Sequence, residues 1–306
     1  MKTLLSIVIH LIMVVGMLAQ TPKVSQGKFI RIENFASKFV PARNIDIWLP
    51  DNYSSKSKYS VLYMHDGQML FDSTTTWNKQ EWGVDEVLGE LLHSQKVSPC
   101  IVVGIWNTAN RHPEYFPQKP FESLTLEEQA VILAAARVNA SVTLLGDGPV
   151  SDNYLKFIVQ ELKPAIDSKY STYTDAAHTF IMGSSMGGLI SMYAICEYPE
   201  VFGGAACLST HWPGTFAVEG NPIPGAFLNY LKTHLPAPKS HRIYFDYGTA
   251  TLDALYKPFQ LQADEIMEQA GYTSQNWITR EFVGEDHSEQ AWHKRLHIPL
   301  GFLLGN

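Results

Sequence analysis

The sequence predicts an α/β fold: a mostly parallel central sheet with helices on both faces and an antiparallel N-terminal edge. Three observations predict it. Tyr59 to Met64 and Ile101 to Trp106 are apolar on both faces, as strands buried inside a parallel sheet are. Between them, Trp82 to His93 carries apolar residues at 84, 87, 88, 91 and 92, the spacing of one buried helix face. Strand, helix and strand at this spacing make a βαβ crossover, whose strands run parallel. With 306 residues, 45% of them hydrophobic, the chain can build one large core, so residues 20–306 read as a single domain.

The first nineteen residues stand apart from that core. Met1 to Ala19 has one basic residue, Lys2, followed by an apolar run and a small residue, the layout of a secretory signal peptide. Cleavage near Ala19 would export the protein to a periplasm or the outside, with no stable membrane insertion afterwards. An uncleaved anchor is the alternative, because the apolar run is close to the lower length limit for a spanning helix. The three cysteines, Cys100, Cys196 and Cys207, sit in apolar contexts and read as small packed hydrophobes rather than a disulfide framework or metal cluster. A net charge of −7 without a basic run leaves no electrostatic footprint for nucleic acid.

Lys28 to Phe35 and Arg43 to Leu49 alternate apolar and polar, as half-buried strands do, and supply the antiparallel edge. From Asn107 to Pro149 the pattern loosens into an Arg-, Pro- and aromatic-rich loop and then an Ala-rich stretch, Glu127 to Leu145, expected to be helical. This segment reads as an insertion or partial lid. Ser151 to Asp167 opens with capping residues and carries a helical stripe at 155, 158, 159, 162 and 166. Ala205 to Ser209, His241 to Gly248 and Asn276 to Val283 are further strands, the last two separated by a helix near Ala254 to Ala270.

The chemistry centres on Thr179 to Gly188, a short apolar run that meets a Gly- and Ser-rich turn. Gly183, Ser185 and Gly187 satisfy G-x-S-x-G, in which the serine stands on a sharp strand-to-helix turn, the nucleophile elbow of α/β-hydrolases. A serine hydroxyl needs a histidine to take its proton, and that histidine needs a carboxylate to fix its tautomer. In this fold they follow in the order Ser, acid, His. His287, just after the last strand in Gly-Glu-Asp-His-Ser, is the expected base. Asp253 is the favoured acid, and Asp246, within the preceding strand, is the alternative. Met186 with Gly67 or Gln68 would form the oxyanion hole. His211, Trp212, Arg111 and Trp106 are candidate pocket walls, as are Trp77 and Trp292.

Met64-His-Asp-Gly-Gln68, Gly183-Ser-Ser-Met-Gly-Gly-Leu189, the Ser151 to Asp167 helix and Gly284-Glu-Asp-His-Ser288 together resemble the esterase D family of α/β-hydrolases. That family includes siderophore (enterochelin), feruloyl and acetylxylan esterases and mycolyl acyltransferases. The resemblance spans roughly residues 28 to 304. It implies hydrolysis of a carboxylic ester through an acyl-enzyme at Ser185, without cofactor or metal, on a small-molecule or polysaccharide-linked substrate. Relatives often carry the acid two or three residues past the glycine of the penultimate turn; here Ala250 and Thr251 stand there. Acyl transfer to another acceptor, or noncatalytic binding on a hydrolase scaffold, are the competing readings.

Overall fold

The computed structural model describes residues 21–305 apart from 136, 140–141 and 216–219, so the expected signal segment lies outside the described residues. The main strands open with β1 (Lys28–Phe35), β2 (Arg43–Leu49), β3 (Ser60–Met64) and β4 (Cys100–Ile105). A separate ribbon pairs β5 (Arg137–Asn139) with β6 (Val142–Thr143). The main sheet continues with β7 (Thr179–Ser184), β8 (Gly204–Leu208), β9 (Arg242–Gly248) and β10 (Trp277–Phe282). Its eight strands lie in the order β1-β2-β4-β3-β7-β8-β9-β10. The pairings of β1 with β2 and β2 with β4 are antiparallel. From β4 through β3, β7, β8 and β9 to β10, every pairing is parallel. The architecture is thus the α/β-hydrolase-like arrangement that the strand patterns imply, with β1 and β2 as its antiparallel edge.

Side chains alternate across this sheet as the period of two requires. Leu62, Met64, Val102, Phe180 and Met182 enter one layer with Leu88 and Leu300 of the helices Val84–His93 and His297–Leu304. Val61, Tyr63, Val103, Ile181 and Phe245 enter the other layer. There they meet Leu189, Phe227 and Met267 of the helices Met186–Glu197, Ile223–His234 and Lys257–Gln269. The chain places β4 on one side of β3 and then crosses to β7 on the other. Connections therefore diverge at the carboxyl ends of β3 and β7, which opens a crevice there.

Three local departures from the sequence reading have physical causes. The helix expected from Glu127 to Leu145 ends at Ala135, and the chain enters the β5–β6 ribbon, where Val138, Val142 and Thr143 bring the β-branching that strands favour. The helix beginning at Ser151 runs to Lys169, but its middle turn, Phe157–Leu162, is a π-helix. Pro164 follows one residue later, after Lys163, and has no N–H to offer the carbonyl four residues back, so the regular ladder cannot continue through it. The helix Ile223–His234, in a stretch where the sequence reading places no element, is the third difference, and it opens on Pro222 and Pro224. Proline in a first turn removes an N–H that has no intrahelical acceptor anyway.

Candidate active site

Ser185 sits between β7 and the helix Met186–Glu197 with φ 59° and ψ −122°, a backbone conformation that a non-glycine residue rarely adopts. The turn is possible because the glycines around it let backbones meet: a Cβ on Gly183 would lie 2.9 Å from the backbone of Gly187. A Cβ on Gly188 would lie 3.0 Å from Thr210 Oγ1. Ser185 N–H donates to Leu208 O at 2.9 Å, tying the elbow to the end of β8.

Ser185 lines two cavities. The larger, about 470 Å³, is a trough shared with His287, Gln68, Trp77, Asn78 and Trp292. The smaller, about 200 Å³, is bounded by His112, Leu144, Met186, His211 and Thr215. Arg111 borders both. Met186 opens the helix after the elbow, where backbone N–H groups lack intrahelical acceptors. Gln68 lies in a short turn of 3₁₀ helix, Gly67–Met69, that faces the trough, and its Oε1 accepts the Asn107 N–H at 3.2 Å. Gly67 is buried behind it, where a Cβ would come within 2.5 Å of the Gly104 backbone.

His287 follows β10, its N–H donating to Thr251 Oγ1 at 3.0 Å. Thr251 is one of the two positions where relatives often carry the acid, and here its hydroxyl anchors the histidine loop. The carboxylate lies two residues further on: Asp253, fully buried, holds Oδ1 2.5 Å from His287 Nδ1. Asp253 Oδ2 accepts the Gly248 N–H and the Ser209 hydroxyl, each at 2.6 Å. Asp246 goes elsewhere. It accepts Arg295 Nη2 at 2.9 Å, Arg295 Nε at 3.2 Å and the Tyr244 hydroxyl at 3.0 Å, all buried. Burial pushes the Asp246 carboxyl up, against the pull of Arg295.

On the other side of the elbow, Arg111 clamps Asp66 with Nε to Oδ1 at 2.7 Å and Nη2 to Oδ2 at 2.8 Å, and Asn107 Nδ2 adds a 2.5 Å bond. Burial alone would raise the Asp66 carboxyl, but Arg111 and Asn107 carry it below its ordinary value. His65 is buried beneath Gly187, with Nδ1 2.9 Å from the Tyr154 hydroxyl. Burial brings its pKa down to about 3, so it stays neutral. His211 is held at Nδ1 by the Tyr256 hydroxyl at 2.9 Å and is lowered to about 3, by burial first and then by His287.

Two of the expected pocket walls turn away from Ser185. The Trp106 indole donates to Asp46 Oδ2 at 2.7 Å and stacks under Arg31, because the edge strands β1 and β2 offer that buried carboxylate. Trp212 is fully buried, donates to Gln260 Oε1 at 3.0 Å and packs on Phe245 as core. Arg111 and His211 do border the serine. Sequence reasoning missed Ser209, Tyr256 and Arg295. Only Arg295 leaves a trace in the sequence: with Ala291, Trp292 and Leu296 it shares a helix face otherwise apolar, the pattern of a buried charge. The three cysteines are free and buried. Among the described residues no group of three or more His, Cys, Asp or Glu could hold a metal ion. Nor is any described helix long and apolar enough to cross a membrane.

A family model described as "Putative esterase" matches residues 38–297. Protein YbbA of Bacillus subtilis (strain 168) is 27% identical over 270 residues, covering 86% of this chain and 93% of its own. Carboxylesterase SOBER1 of Arabidopsis thaliana is 28% identical over 183 residues, 55% of this chain and 77% of its own. Among solved structures, a ferulic acid esterase superposes with a TM-score of 0.64 at 20% identity, covering 91% of this chain and 98% of that one; the likeness is one of fold.

Proposed function

The chain belongs to this esterase family and is a carboxylic ester hydrolase, and from that premise we propose that it works through a Ser185–His287–Asp253 triad and an acyl-enzyme. The observation that carries the reading is the bond from His287 Nδ1 to the buried Asp253, made beside the trough that Ser185 also lines. In a neutral imidazole whose Nδ1–H is committed to a carboxylate, Nε2 is the atom left to accept a proton. The elbow strain presents the nucleophile and keeps the helix N-terminus behind it.

In the proposed reaction, Ser185 Oγ attacks the ester carbonyl carbon while its proton passes to His287 Nε2. The oxyanion receives the backbone N–H groups of Met186 and Gln68, with Gly67 supporting the loop; each such donor lowers the barrier by about 3 to 4 kcal/mol. Collapse expels the alcohol, protonated by His287, and leaves the acyl group on Ser185. Water, deprotonated by the same imidazole, then releases the acid. Catalytic hydrogen bonds often tighten only when substrate is bound.

The two cavities suggest how a substrate lies. The smaller one, walled by Leu144, Met186 and the neutral His211, suits an acyl group of modest size. The larger one, with the amides of Gln68, Asn78 and Gln80 and the 83% exposed Trp77, suits a polyhydroxylated alcohol, as in an acylated polysaccharide or a siderophore. Residues 107–149 supply Arg111, His112 and Leu144 to these walls and act as the partial cover of the site. The N-terminal nineteen residues export the enzyme. A panel of acetyl, butyryl, feruloyl and catecholate esters, assayed with wild type and Ser185→Ala, tests the proposal. Turnover should fall about 10⁶-fold in the variant, as for the triad serine of a well-studied protease. A fluorophosphonate should label only the wild type; undiminished turnover by Ser185→Ala would overturn the triad.

A further inference from the structure

Ser209 follows β8, is fully buried, and has a φ of +42°. Its hydroxyl meets three partners: Asp253 Oδ2 at 2.6 Å, Trp292 Nε1 at 3.0 Å and Arg295 Nη2 at 2.9 Å. Two of these leave no choice of role. An indole N–H and a guanidinium can only donate, so they occupy the two lone pairs of the hydroxyl. Its single proton is left with Asp253 as its only acceptor, and the rotor has one setting.

That setting is itself held in place. Arg295 is 2% exposed and bound to Asp246, so the donor that fixes Ser209 belongs to a buried ion pair. Trp292 also lies edge-on to the His287 ring, with centroids 5.1 Å apart. Asp253 Oδ2 is thus saturated by Ser209 and the Gly248 N–H, which turns Oδ1 toward His287.

We propose that Ser209 is a positioning residue: held as a donor by Trp292 and Arg295, it orients Asp253 so that one carboxylate oxygen is reserved for His287. The inference rests on the triad reading. It gives Asp246, the carboxylate that does not reach the histidine, a role behind the one that does, three hydrogen bonds away through Arg295 and Ser209.

The test uses the full chain with Ser209→Ala and Ser209→Gly. Glycine accepts a positive φ without strain, so the second variant keeps the fold even where the first is weakened. With p-nitrophenyl acetate, kcat should fall about 10- to 100-fold, the value of one hydrogen bond to a charged group, with KM within about twofold. The far-downfield proton resonance of His287 Nδ1–H should shift or broaden, a change that loss of packing elsewhere would not cause. A folded Ser209 variant with wild-type kcat and an unmoved resonance would overturn the proposal. Asp253→Ala should abolish that resonance and most activity; if it keeps wild-type activity, the triad reading falls and this inference with it.

Discussion

The two flanks of the β7 elbow handle buried charge differently. On the β3–β4 flank, Asp66 is satisfied by Arg111 and Asn107, and deeper down Arg43 binds Glu114 at 2.6 Å and 2.8 Å. These charges are closed pairs: the first shapes the wall of the trough, the second is locked in the core. On the β8–β10 flank the bonds form a chain, from Asp246 to Arg295, Ser209, Asp253 and His287. That chain has one open end, the histidine edge that faces the trough. Closed pairs fix geometry; an open chain can also pass a proton to a bound molecule.

The largest expected contrast lies within the second flank. Asp253→Ala should lower kcat about 10⁴-fold with the fold intact, the loss seen on disabling a triad acid elsewhere. Asp246→Ala strands Arg295 uncompensated in the core, so its effect should be on stability, about 3 to 5 kcal/mol. Paired kinetics and thermal melts separate the two. Equal kinetic losses in both variants at full stability would break the distinction between the working acid and the supporting one.

A smaller effect tests the first flank. Arg111→Met removes the partner of Asp66 and should destabilise the protein at pH 7 by about 1.5 to 3 kcal/mol, a few degrees in melting temperature for a chain of this size. Asp66 titrates below its ordinary 3.8, so the stability it contributes is present above pH 3.8 and is lost as pH falls through its folded value. The gap between wild type and variant should narrow in melts below pH 4. A gap constant with pH would mean that Arg111 acts through packing alone.

The smallest expected change is at Glu81, whose neighbours Gln80 and Trp82 line the trough. Glu81 is raised to about 7, by burial first and then by Glu86, Asp85 and Asp72. Its folded form holds a proton more tightly than the unfolded chain, so the associated stability is complete below pH 4.5 and is lost as pH rises through about 7. Glu81→Gln should raise the melting temperature at pH 8 by about 1 to 2 °C, allowing for solvent screening, and leave it unchanged at pH 4. A gain at both pH values would point to removal of something other than charge.

Much of this arrangement was legible along the chain. Strand patterns located the sheet and its antiparallel edge, because burial on one face writes itself into a period of two and burial on both faces into an unbroken apolar run. The elbow was legible because a serine at that φ and ψ needs Gly183 and Gly187 at fixed offsets. Asp253 and His287 could be reached only through the chain order of the fold, and Asp246 stayed a rival since both acids flank the end of β9. Trp106 and Trp212 misled for the opposite reason: an indole near a strand end says nothing about which way it points.

By itself, the sequence determined what depends on neighbours within a few residues: the alternating strands, the helical stripes, the glycine-bounded turn at Ser185. Tertiary structure alone decided which carboxylate meets His287, that Ser209 and Arg295 stand behind it, and that Arg111 is occupied by Asp66. Those choices join residues 34 to 86 positions apart. Hydrogen-bond geometry is set by atoms a few ångströms away in space, and spacing along the chain carries no record of that distance.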